Sequence, residues 1–142
     1  MIARRLLVMA VLTVTFGGGW GAVAASHGTN AALRADETVY NGLFAVAVAD
    51  QIRTNCDVIG PRMFRAIGFL HSLESHARSQ GFSQEEIDAF IDSEEEQERM
   101  RGHVMAYFEE HGVDEDAPET YCALGRAEIE RGSQAGALLR AR

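Results

Sequence analysis

Three groupings of residues in this chain could do chemistry by type and spacing. His71 and Glu74 stand three apart, which on a helix puts an imidazole and a carboxylate on one face, as half of a metal site requires. A metal needs three or four ligands, and the remaining candidate nearby, His76, belongs to a different face. His103, Tyr107 and Glu110 repeat the arrangement and its shortfall. None of the five histidines falls in HxxxH or HExxH, so a zinc hydrolase finds no support. The third grouping is the acidic run Glu85 to Glu98, with eight carboxylates in fourteen residues. It could attract calcium or a basic partner protein. The alternating Asp/Asn ligands and central glycine of an EF-hand are missing, so the run reads as a solvated helix face, partly offset by Arg99 and Arg101. GxSxG, P-loop and dinucleotide fingerprints are absent. No catalytic, cofactor-binding or metal-ligating residue is assigned, and the chain is expected not to be an enzyme.

The two cysteines, Cys56 and Cys122, are the remaining reactive pair. No CxxC motif exists, so redox catalysis has little support. In an exported chain two cysteines are most simply one structural disulfide. Closing a loop of that length is worth about 4 kcal/mol in the chain-entropy model.

Export is what the N-terminus implies. Arg4 and Arg5 precede an apolar run, Leu6 to Phe16, and Ala22-Val23-Ala24-Ala25 offers small residues for a signal peptidase. Residues 1–25 are therefore expected to be a cleaved Sec-type signal peptide, placing the protein in the periplasm. An uncleaved anchor is the alternative, since the apolar region approaches the ~20 residues that span a bilayer. The glycines at 17, 18 and 19 weaken such a helix. Without residues 1–25 the chain carries 11 arginines against 21 acids. Such a charge repels nucleic acid and anionic membrane surfaces, so neither is an expected partner.

Residues 26–35 lack periodicity and are expected to be a flexible lead-in, with a single helical domain over 36–142. The chain's centre of gravity is Asp36 to Cys56. Asp36 can cap a helix in which Tyr40, Phe44, Val48 and Ile52 recur every four residues, and alanines 45, 47 and 49 make the middle apolar all round. Pro61 is placed to start a second helix, running to Gln80 and stopped by Gly81. Its expected inner face is Met63, Ala66, Ile67, Leu70, Leu73 and Ala77, flanked by Phe64 and Phe69. Ser83–Glu86 and Ser93–Glu96 each match a capping box, dividing 84–111 into two helices. A last helix over about 119–131 stops at Gly132, and Leu138 and Leu139 belong to a short docking helix. No strand-like alternation is visible. The expected fold is all-α, a bundle of four to five helices with one disulfide from the end of the first to the start of the last main helix.

The segments Arg62-Met63-Phe64-Arg65-Ala66, Tyr121-Cys122-Ala123-Leu124-Gly125-Arg126-Ala127-Glu128-Ile129 and Gly136-Ala137-Leu138-Leu139-Arg140-Ala141-Arg142 resemble the DUF5333 family, small exported proteins of alphaproteobacteria with no assigned function. The resemblance includes both cysteines and implies no active-site residues. The expectation is a periplasmic, non-enzymatic module that binds another protein or stabilises an assembly, without stable membrane insertion. The alternative is a protein that binds a small ligand or divalent metal through its acidic helix face.

Overall fold

The computed structural model describes residues 20–142, with side chains from Ser26 onward. Most of the expected signal peptide lies outside the described residues. Among those described, the order is α1 (Trp20–Ala35), α2 (Glu37–Asn55), β1 (Ile59–Pro61), α3 (Met63–Ser79), α4 (Gln84–Asp92), α5 (Glu94–Glu110), α6 (Pro118–Arg131), α7 (Gln134–Ala137) and β2 (Leu139–Ala141). The chain is mostly helical, as expected, with more helices than four or five and a small sheet. No described helix is long and apolar enough to cross a membrane.

α2 is the axis. Asp36 caps it, its Oδ1 accepting the Val39 N–H at 3.0 Å. The helix packs against α1, α3, α5, α6, α7 and β1. Val48 and Ile52 are among the most buried residues and centre the larger core with Val104, Phe108, Tyr121, Leu124 and Leu138. Cys56, directly after α2, bonds to Cys122 in the second turn of α6 with Cα atoms 5.2 Å apart.

Residues 26–35 are not a flexible lead-in but the second half of α1. One large apolar residue, Leu33, holds them, 1% exposed in a second core with Val39, Ala77 and Phe90. Arg34 adds an ion pair to Glu96 of α5. A single leucine shows no periodicity, which is why the helix is invisible in the sequence.

Pro61 does not start a helix. It ends β1, which pairs antiparallel with β2 in the register Ile59↔Ala141, Gly60↔Arg140 and Pro61↔Leu139. Both strands of a two-stranded ribbon are edges, so a residue without an N–H costs little there. Three-residue strands are too short to show alternation, and only the return of the chain's tail creates the pair. The tail is thus one helical turn and a strand, rather than a docking helix alone.

Candidate interaction surface

The largest departure from the expected packing is the facing of α3. Leu73 and Ala77 are buried, and Ala66 and Phe69 half-buried, while Met63, Ile67 and Leu70 are 54%, 45% and 40% exposed. Counting 3.6 residues per turn, the buried face is rotated by roughly 60° from the apolar centre of the helix. Two polar anchors explain this. Near the C-terminal end, His76 Nε2 sits 2.9 Å from Asp36 Oδ2. At the N-terminal end, Arg62 donates its backbone N–H to the Leu138 carbonyl at 2.7 Å and Nε to the Leu139 carbonyl at 2.9 Å. The anchors stand nearly four turns apart, on one side of the helix, and turn that side inward.

Between them Leu73 presses onto Gly42 of α2, where any Cβ would lie 2.5 Å from a leucine methyl. Close helix approach at a glycine fixes the rotation further. The apolar side chains displaced by this geometry face solvent. Phe64 is 93% exposed, and Val58, in the turn ahead of β1, is 55% exposed. Five of the seven large apolar residues exposed in the described chain fall between Val58 and Leu70, so the exposure is a patch and not a scatter. Its apolar area is on the order of 500 Å², within the size range of the largest patches on monomers, which are often functional. At about 25 cal/mol per Å² this leaves on the order of 10 kcal/mol of burial unrealised.

The residues singled out for chemistry are dispersed. His71 is exposed, and Glu74 stands 3.9 Å from Arg78 on its own helix. His103 is ringed by aromatics, its centroid 5.0 Å from Phe44 and 5.8 Å from Tyr40. Glu110 is exposed. Tyr107 turns away from His103 and donates to Glu128. Among the described residues no three His, Cys, Asp or Glu side chains group as a metal site. Seven of the eight carboxylates in the acidic run are solvated or half-buried, and Glu96 is the exception.

Two buried carboxylates escaped the sequence reading. Glu128, 1% exposed, takes hydrogen bonds from Tyr107, Arg131 and Ser133 and so ties α5, α6 and the start of α7 together. Burial and the neighbouring Glu128 charge push the Tyr107 phenol up to about 12. Glu96 takes Arg34, with Arg99 Nε 3.8 Å away. The second capping box is therefore half formed: Ser93 accepts the Glu96 N–H at 3.4 Å, but the Glu96 side chain points to α1. The first box, Ser83–Glu86, is complete. Both buried acids had a signal in the sequence, for each occupies a position where an apolar stripe should continue: Glu96 before Met100, Val104 and Phe108, and Glu128 after Tyr121 and Leu124.

An open groove of about 520 Å³ runs between α2, α4 and α5, lined by Leu43, Ala47, Phe90, Met100 and Val104 among others. The charged residues along it are already engaged, Asp50 with Arg53, Glu96 with Arg34 and Arg101 with Glu98.

No curated protein and no solved structure matches the chain. The model of DUF5333, a family of unknown function, matches residues 31–140, a span that takes in both cysteines, all of α3 and β1 and the first two residues of β2, and the chain belongs to that family.

Proposed function

We propose that this protein is a non-enzymatic, exported helical module that holds another protein, or stabilises an assembly, through the outer face of α3. The observation that carries the reading is Phe64, an aromatic side chain left 93% exposed on a well-anchored helix beside Met63, Ile67 and Leu70. Aromatic and long apolar side chains clustered on a rigid element are what protein interfaces use as anchors. Export rests on the basic and apolar N-terminal segment, and the Cys56–Cys122 disulfide suits an oxidising compartment such as the periplasm. Binding of a metal or small ligand through the acidic face has less support, because those carboxylates are dispersed and solvated.

Photo-crosslinking in the cell tests this reading. A photoreactive residue at Phe64 or Ile67 should join the chain to a protein, and one at Ser79, about four turns further along α3, should not. Equal yields at the three positions, or none at all, would overturn the proposal.

A further inference from the structure

The partner that best fits this face is a second copy of the chain. Resting on the reading just given, we propose that the protein is a homodimer in which two copies of α3 pack antiparallel through their outer faces. The seam is short but regular. Met63, Ile67, Leu70 and Glu74 follow one another at spacings of four, three and four, the alternation that lets two helices lie side by side at about 20°. Phe64 flanks it. Roughly 500 Å² of apolar surface per copy gives about 1,000 Å² in a symmetric pair before the polar rim is added, which reaches the size at which specific interfaces begin.

Charge decides between this occupant and others. The chain as a whole carries a formal charge of −8, and a contact between copies through α4 and α5 would set one acidic run against another. The α3 face is different. Beyond its apolar residues stands Glu74, half-buried with Arg78 3.9 Å away, and at the other end the ribbon carries the exposed Arg140 and Arg142, with Arg142 Nη1 bonded to the Asp57 carbonyl at 3.2 Å. A two-fold axis through Ile67 turns one copy end for end. Phe64 of each copy then meets Leu70 of the other, Ile67 meets itself, and Glu74 of each lies towards the ribbon arginines of the other. An isologous contact makes each complementary pair twice. A foreign segment charged with a single sign would match only one end.

Sedimentation velocity on the chain, expressed from its full coding sequence and purified in the form the cell produces, tests the dimer over about 1 to 200 µM. The mass should double across that range. Phe64→Asp should weaken association by about 30-fold or more, the loss expected of an aromatic anchor in an interface. Its melting temperature as a monomer should be unchanged, since Phe64 touches little of its own chain. Ile67→Cys should yield a disulfide-linked dimer in air, whereas Ile91→Cys, at another exposed apolar position, should not. A chain monomeric throughout the series overturns the proposal, and so does a dimer indifferent to Phe64→Asp. If the chain is monomeric while a crosslinker at Phe64 still captures another protein, the homodimer falls and the interaction reading stands. Failure of both experiments removes both.

Discussion

Arg34 reaches from α1 to the buried carboxylate of Glu96 on α5, 62 residues further along the chain. Arg34 is 31% and Glu96 6% exposed, so the acid depends on the arginine for most of its compensation. Removing one partner of a buried pair strands the other. Arg99, 3.8 Å away, and partial solvent access moderate the loss. Arg34→Ala should cost about 1–3 kcal/mol in urea unfolding. The double variant Arg34→Ala/Glu96→Leu should recover part of it, because it leaves no stranded charge. An unchanged midpoint in the single variant would show that the pair holds nothing.

The disulfide admits an independent check. Replacing Cys56 and Cys122 together by serine should lower stability by about 2–4 kcal/mol through the larger freedom of the unfolded chain, or roughly 10 °C in melting temperature for a domain of this size. Oxidised wild-type protein should resist alkylation at both positions until it is unfolded and reduced. Ready labelling without reductant would contradict the bond.

Asp36 makes acid stability a test of α2 capping. The Val39 N–H and, beyond it, His76 hold the Asp36 carboxyl below its usual range against an opposing contribution from burial. A carboxylate with a depressed folded pKa stabilises the fold above its unfolded value of about 3.9, and that contribution disappears as pH falls through the lower folded value. Asp36→Asn keeps a competent cap but cannot titrate. The variant should therefore lose less stability than wild type below about pH 4, measured by denaturation at successive pH values. Parallel curves would remove Asp36 from the account.

Tyr107 governs the opposite end of the pH scale. Its folded pKa is raised to about 12 by burial first and by Glu128 second. Stability from the neutral phenol is complete below the unfolded value of about 10 and is lost as pH rises towards 12. Absorbance near the phenolate band should show two tyrosines ionising after the unfolded reference, Tyr107 and also Tyr121, which its own burial and the Glu115 and Asp114 charges push up. Tyr107→Phe should remove one of the two late steps and leave that of Tyr121, and it should cost about 1–2 kcal/mol at neutral pH, because Glu128 loses a donor. Early ionisation of all tyrosines would refute the contact.

The legible parts of this fold are the ones written in local sequence. Asp36, Ser83 and Ser93 announce helix starts and Gly81 and Gly132 helix stops, and in the structure both glycines take positive φ, 98° and 66°. The Cys56–Cys122 pair followed from count and context. The α1 helix and the ribbon were hidden because each depends on partners far along the chain: Leu33 and Arg34 on α4 and α5, Ile59 to Pro61 on the tail. The exposed apolar face of α3 was hidden for a related reason. Periodicity locates the apolar side of α3, but the rotation of that side away from the core comes from Arg62 and His76, polar residues whose partners are 77 and 40 positions away.

The two anchors of α3 also bear on how quickly and how tightly a surface could land on it. A helix pinned at both ends, with its exposed side chains mounted on a backbone pressed against Gly42, has little motion left to give up. Side-chain ordering at Phe64, Met63, Ile67 and Leu70 is then the main entropic loss on association, and the backbone contributes almost none. Loosening the C-terminal pin by His76→Ala would leave every contact atom of the proposed face in place and should still weaken association. On the proposed reading the face meets its partner as a preorganised surface, with an affinity set partly by residues that never touch that partner.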